Sequence, residues 1–600
     1  MQEKLPKRSE VSKELTWRLE DIYEDEAKWE EEKAEAISLS DELSKFSGKL
    51  GDSAKTLLDA LKLYEKIELV LGRVFGYAHM RHDEDTANSK YQGMEQMAMS
   101  AYVQISEKTS FMNPEILAIA DEKFEAFKKE EEGLARYEVM LREIRRKREH
   151  TLSPEMEQLL ASAGELTAAP ENCFSMLGDA DLKFPSVQDS NGKEVQITDG
   201  RFVPIQMSKD RELRKRTFEA YYTRYSEFKN TWAAIYDAEV KGRIFNAKAR
   251  KHKSTFEAAV YENNVDPKVC DRLFEAVHNN LDKMHRYVEL RKKLLGVDEL
   301  HMYDVYVSMI NDFDMEVDYE TAKEISLKAL APLGEDYLEI VKEAYENRWI
   351  DVIENEGKRG GAYSDGVYGV HPYMLLNYNN TLEDVFTLVH EMGHSMHTWY
   401  SDHANHVLDA GYKIFVAEVA STTNEVLLYH YLKDHAKSKE EKAYIVNHFL
   451  ESFKGTMYRQ TMFEEFERKT NAMAESGEPL TAESLSKVYH DLNKEYFGET
   501  MISDPLIAYE WCRIPHFYYN FYVYQYATSF AASVAIANRI LKEGAPAAEQ
   551  FKNFLRSGCT QDPVSLLKLA GVDLTTAQPI EDALKVFGEA IAEMEELYKD

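Results

Sequence analysis

Apolar residues recur at helical intervals through most of the chain. From about residue 10 to 165 they alternate with charged residues in successive amphipathic segments, which predicts a row of helices. Between Gly178 and Gln206 this rhythm breaks. Asp189-Ser190-Asn191-Gly192 is a turn signal, and Phe184–Val187 and Glu194–Thr198 read as the short extended runs it joins. Ser208 is the expected cap of a further helical region reaching roughly residue 350. A segment rich in Gly and Tyr follows. Its Val367–Tyr378 stretch reads as extended, and Pro372 cannot donate to a ladder, which predicts a short hairpin with an edge strand. Tyr378-Asn379-Asn380 is then a turn, and Thr381 and Asp384 form a capping box. Val385, Leu388, Val389, Met392 and Met396 recur at helical spacing behind it. More helix is expected from there to Asp600. The pattern predicts a mainly α protein with a small β-hairpin beside the helix that starts at Thr381. No repeat of fixed period and no low-complexity linker separates domains. The break near residue 200 suggests a helical lobe over 1–200 and a second domain over 201–600.

The predicted helix after Thr381 carries His390-Glu391-Met392-Gly393-His394, in a chain with only 18 histidines among 600 residues. Positions i and i+4 share a helical face one turn apart, so His390 and His394 can hold one metal ion from the same side. Glu391 lies next to them, placed to handle a water on that metal. This is the ligand spacing of a zinc hydrolase. A third ligand is required. His397 is seven residues after His390, about 10 Å along an unbroken helix, and so cannot join it on one ion. It is expected to support the site or to contact substrate. The position where a metzincin would place its third histidine is Tyr400. Glu418 is the better candidate, because it sits in the apolar Ile414–Ser421 stretch and a carboxylate there needs a partner. Asp402, Asn405, Asp409 and Gly411 supply enough turn chemistry to reverse the chain between Trp399 and Lys413. Ala417, Ala420 and Ser421 are small enough to let a second helix lie close against the first. Glu425, two turns beyond Glu418, could orient His390 or His394 through the free ring N–H.

Together, HExGHxxH over His390–His397 and ExxSxxxE over Glu418–Glu425 resemble the thimet-oligopeptidase family of zinc metallopeptidases, and within it the oligopeptidase F branch. The resemblance extends from roughly residue 115 to the C-terminus and is strongest from Gly360 to Tyr526. It implies a two-lobed helical body with a deep substrate channel, one Zn²⁺ per chain, and cleavage of internal bonds in short peptides. It also implies that a strand just before the metal helix binds extended substrate, with Gly360, Gly361 and Tyr373 among its contacts. His516, Tyr519 and Tyr526 match the family's upstream histidine and paired tyrosines, donors to the oxyanion formed during amide hydrolysis. The spacing from His516 to Tyr519 is three residues rather than the family's five, so Tyr522 and Tyr524 remain alternatives.

Net charge is −33, which argues against nucleic acid or an anionic membrane as partner. The cluster Arg142, Arg145, Arg146, Lys147 and Arg148 reads as a solvated helix face among glutamates. No run of eighteen apolar residues occurs. The residues after Met1–Arg8 lack the apolar core of a secretory signal, and four scattered cysteines fit a reducing compartment, so a cytoplasmic protein is expected. Cys512 lies near His516 but has no activating arrangement that would make it a nucleophile. Two rival functions remain: an HExxH-type zinc carboxypeptidase, and a catalytically dead helical peptide-binding protein.

Overall fold

A computed structural model describes residues 4–310, 313 and 315–599. Met1–Glu3, Asn311, Asp312, Asp314 and Asp600, which fall in the chain start, the expected central helical region and the expected last helix, lie outside the described residues. The protein is mainly helical, with few and short strands. Its contacts define two compact units, each assembled from three stretches of chain: residues 1–149, 314–431 and 536–572 in one, and 150–313, 432–535 and 573–600 in the other. This partition differs from the expected division at residue 200. A composition break marks where the rhythm of one stretch changes, and says nothing about where the chain later returns.

The first unit is built on α1 (Glu26–Ser44), α2 (Ala54–Glu84) and α3 (Ser89–Thr109), which pack on one another. Asp25, Ser53 and Asn88 cap them by accepting first-turn amides. Trp29, Leu57, Leu61, Val74 and Tyr77 form the core between them, and Trp29 Nε1 donates to the Val74 carbonyl at 2.8 Å. Against this core lies a three-stranded sheet of β1 (Ile350–Asp351), β2 (Tyr363–Asp365) and β3 (Tyr373–Leu375). β3 is its centre, parallel to β1 and antiparallel to β2. The expected edge strand in Val367–Tyr378 is therefore internal, and the sheet's edges are β1, which is buried, and β2, which is partly exposed. The reason is non-local: β1 supplies a partner that no hairpin signal announces.

α4 (Leu382–Ala404) follows, with the expected capping box and buried stripe. Asn380 takes φ 62, Thr381 Oγ1 accepts the Asp384 amide at 3.2 Å, and the Asp384 carboxylate accepts the Thr381 amide at 2.9 Å. Val385, Leu388, Val389, Met392 and Met396 are all fully buried. α4 continues through Trp399 to Ala404, so the reversal starts later than the turn residues suggest. A short helix, Val407–Ala410, then leads into α5 (Ile414–Asp434).

In the second unit, Ser186–Gln188 and Glu194–Gln196 form the expected antiparallel hairpin, with Gly192 at φ 78 in its turn. Ser208 does not cap the next helix. Asp210 does, by accepting the Leu213 amide at 3.0 Å, while Ser208 Oγ accepts the Asp210 amide. Helices Lys229–Ala249 and Gln460–Ser476 pack together and carry buried charges discussed below. Among the described residues, no helix is long and apolar enough to cross a membrane.

A histidine–glutamate metal centre and an aromatic cluster

α4 and α5 meet at Gly393. A β-carbon built there would stand 2.5 Å from Ser421 Cα and 2.7 Å from the Ala420 carbonyl oxygen, so only glycine permits this approach. Asn424, fully buried on α5, reaches back to the Val389 carbonyl at 3.3 Å and to Tyr337 Oη. These contacts bring Glu418 opposite the two histidines. His390 Nε2 and His394 Nε2 are 3.2 Å apart, and Glu418 Oε2 stands 3.3 Å from the first and 3.4 Å from the second. A tetrahedral zinc with bonds of about 2.0–2.2 Å sets its ligand atoms roughly 3.3 Å apart. The three atoms already form that triangle. Among the described residues, this is also the one group of three or more His, Cys, Asp or Glu able to hold a metal ion.

The electrostatics favour a cation. Burial opposes ionisation of Glu418, but His390 and His394 outweigh it and hold the carboxylate well below its ordinary range. Burial likewise opposes charge on His390, yet Glu418 and Glu425 pull its imidazole well above the usual value. A donor set of two imidazoles and a carboxylate with a second carboxylate behind it calls for positive charge at its centre, and the residues fit a divalent metal. Glu425 Oε1 accepts from His390 Nδ1, which leaves Nε2 free to face a metal ion. Ser421 Oγ lies 3.0 Å from Glu418 Oε2 and braces it. Glu391 is 7 % exposed, and burial pushes its carboxyl above the ordinary range, the setting of a general base.

Two expected substrate contacts are corrected. His397 is 1 % exposed and stacks on Tyr412 with ring centroids 3.7 Å apart, so it is packed inside, next along the helix from His394, instead of meeting substrate. Burial drives its imidazole down to about 3, which keeps it neutral. Tyr373 is fully buried in the central strand, and its hydroxyl donates to the Arg18 carbonyl. Both are covered by residues distant in sequence, Tyr412 over one and Arg18 beside the other, which spacing does not reveal. Gly360 and Gly361, in contrast, are exposed just before β2, with Gly361 at φ 86 and its carbonyl held by Asn377 Nδ2 at 2.8 Å. Lys358 anchors that turn from below. Its buried ammonium pairs with Asp351 at 2.7 Å and donates to the Ile353 carbonyl. β2 itself lies along α4: Ser364 Oγ is 2.7 Å from Ser395 Oγ, and Gly366 abuts Thr398. The basic cluster is occupied by neighbours, with Arg145 and Arg148 on Asp121 and Arg146 on Glu143.

In the second unit, His516 lies in a 3₁₀ turn and is the hub of an aromatic group. Its ring centroid is 5.6 Å from Tyr519, 6.5 Å from Tyr522 and 6.1 Å from Tyr526. Tyr519 is 46 % exposed, whereas Tyr524 is buried against Phe256, outside the group. Burial, with Arg459 adding to it, lowers the His516 pKa, so the imidazole is a neutral donor near pH 7. Asn520 and Phe521, directly after Tyr519, are consecutive non-glycine residues at φ 53 and 58. Such conformations cost about 1–3 kcal/mol each.

An HExxH helix, a glutamate from the following helix and a mainly helical fold define a metallopeptidase class of site. Comparison with known proteins agrees. The model of "Peptidase family M3" matches residues 205–586, and that of "Oligopeptidase F" matches 115–184. The chain belongs to peptidase family M3. It is 49 % identical to oligopeptidase PepF of Bacillus subtilis over 593 residues, 99 % of this chain and 88 % of that protein. A crystal structure of a Chlamydophila abortus protein superposes with TM-score 0.92 at 33 % identity, covering 99 % of this chain and all of that one. The crystal structure of oligoendopeptidase-F from Enterococcus faecium gives 0.73 at 38 % identity, covering 95 % and 99 %.

Proposed function

We infer that this protein is a zinc metalloendopeptidase that hydrolyses internal bonds of short oligopeptides. The observation that carries the reading is the triangle of His390 Nε2, His394 Nε2 and Glu418 Oε2, with sides of 3.2, 3.3 and 3.4 Å. Membership of peptidase family M3 and the high identity to PepF support the substrate class.

When bound, the metal supplies a Lewis acid that makes water easier to deprotonate and polarises the scissile carbonyl. Glu391, buried beside the ligands, takes a proton from the attacking water and passes one to the departing amine. Glu425 holds His390 in the tautomer that frees Nε2, and Ser421 holds the carboxylate of Glu418. His516, Tyr519 and Tyr526 offer neutral N–H and O–H donors to the developing oxyanion, a role supported by the family pattern and by their grouping around one imidazole. The outer edge of β2, reached past Gly360 and Gly361, pairs with the backbone of an extended peptide. Main-chain pairing of this kind selects for extended, flexible chains over folded proteins. A cytoplasmic role in peptide turnover follows, supported by four cysteines that all remain free thiols.

The direct test is the metal content and turnover of Glu418→Ala beside Glu391→Gln. Glu418→Ala is expected to lose both zinc and activity. A Glu418→Ala protein with stoichiometric zinc and full activity would move the third ligand elsewhere.

A further inference from the structure

The segment that carries His516 and Tyr519 is held at two backbone points by one buried ion pair. Glu467, fully buried on helix Gln460–Ser476, accepts the Phe521 amide at 2.8 Å through Oε1. The same oxygen accepts Arg243 Nη1 at 2.5 Å. Arg243, on helix Lys229–Ala249, sends Nη2 to the Phe517 carbonyl at 2.7 Å and Nε to Glu239 at 3.0 Å. The guanidinium thus fixes the carbonyl just after His516, and the carboxylate fixes the amide at the end of the left-handed pair Asn520-Phe521. Tyr519 lies between the two held points. The Phe517 and Phe521 rings are buried beneath, the first against Phe466 and the second against Phe256.

We propose that Arg243 and Glu467 are positioning residues, a charge-paired clamp that sets the direction of the His516 imidazole and the Tyr519 hydroxyl. This rests on the reading of those two groups as oxyanion donors. A buried ion pair stabilises no more than apolar residues of the same volume, so stability does not call for one here. What it provides is direction: the planar guanidinium fork fixes its acceptors in one plane. Two residues in strained backbone conformations persist only where neighbours over-determine them, and the clamp ends on one of them.

The test compares Arg243→Lys, Glu467→Asp, His516→Ala, Tyr519→Phe and the double variant Arg243→Lys/His516→Ala. The assay is cleavage of an internally quenched, C-terminally amidated peptide by the metal-loaded full chain. Arg243→Lys keeps the ion pair but not the fork to Phe517, and Glu467→Asp withdraws the carboxylate from the Phe521 amide. Both are expected to bind one equivalent of metal and keep KM within about threefold, while kcat falls roughly 10- to 100-fold, the cost of misplacing a donor by about 1 Å. In the His516→Ala background, Arg243→Lys is expected to cost less than about twofold more, because it acts through a group already removed. Wild-type kcat in both single clamp variants, or losses that multiply in the double variant, would overturn the clamp alone. Wild-type kcat in both His516→Ala and Tyr519→Phe would overturn the donor reading beneath it. Hydrogen exchange on the wild-type protein decides independently of how the variants fold. The Phe521 amide is expected to be as protected as helix Gln460–Ser476, and free exchange there would also overturn the clamp.

Discussion

Gly393→Ala is the smallest change that opens the metal centre without touching a ligand. The added methyl would meet Ser421 Cα at 2.5 Å, the Ala420 carbonyl oxygen at 2.7 Å and the Ser421 nitrogen at 2.8 Å. Carbon–carbon contacts are comfortable at about 3.5–4.0 Å, so α4 and α5 must separate by about 1 Å. All three obstacles are backbone atoms, and no rotamer change relieves them. Overpacking of this kind costs about 1–3 kcal/mol, and rigid backbone on both sides puts this case near 3 kcal/mol. The same separation carries Glu418, one turn before Ser421, away from His394, the residue after Gly393. Metal sites tolerate shifts of only about 0.2 Å in their bond lengths. Zinc affinity should therefore fall by at least the 10–100-fold typical of losing an outer hydrogen-bond partner, on the order of 2 kcal/mol or more. Competition with a chromophoric chelator measures the affinity, and denaturant unfolding of the metal-free protein measures the packing cost. Wild-type zinc affinity together with a wild-type unfolding midpoint in Gly393→Ala would refute the claim that helix approach sets the ligand triangle.

Three further outcomes are expected. Glu391→Gln should keep stoichiometric zinc by elemental analysis but lose at least the 10²- to 10⁴-fold in kcat assigned to a general base. Glu425→Ala strips His390 Nδ1 of its acceptor and should weaken zinc binding about 10- to 100-fold in the same chelator assay, with Glu425→Gln recovering part of it. His397→Phe should leave KM unchanged and make the fold more acid-resistant. Burial holds the folded His397 pKa down at about 3, whereas the unfolded chain protonates near 6.5. Between those values the unfolded state binds the extra proton, so stability is lost as pH falls through 6.5 toward 3. At pH 5 the difference is about 2 kcal/mol, and urea unfolding at pH 5 and pH 7 measures it.

Which parts of this site could be read from the chain follows from how far each contact reaches. The capping box of Thr381 and Asp384 and the buried stripe of α4 are contacts within one or two turns, and spacing carries them fully. Glu418 was legible for a different reason: an acidic residue among apolar and small neighbours demands both a partner and a close helix, and His390, His394 and Gly393 answer it. The burial of Tyr373 and His397 depends on what packs from elsewhere, Arg18 and the α2 core against one and Tyr412 against the other, which the local sequence does not carry. Tyr373–Leu375 is not an edge strand because Ile350–Asp351, a two-residue strand with no hairpin signal, occupies the place beside it. Arg243 and Glu467 stand 224 residues apart, and each alone looks like one more charge on a helix. Only their burial together under the His516 segment reveals them, as only the fold reveals Lys358 beneath the glycine turn.

A metal held by His390, His394 and Glu418 is expected to cleave internal peptide bonds. This is tested most directly by incubating an internally quenched, C-terminally amidated nonapeptide with the protein, with and without a zinc chelator, and identifying the products by mass spectrometry. Internal cuts that vanish with chelation and return with added zinc are expected. An intact amidated peptide, with residues removed only from the free C-terminus of its unblocked counterpart, would instead make the protein a carboxypeptidase.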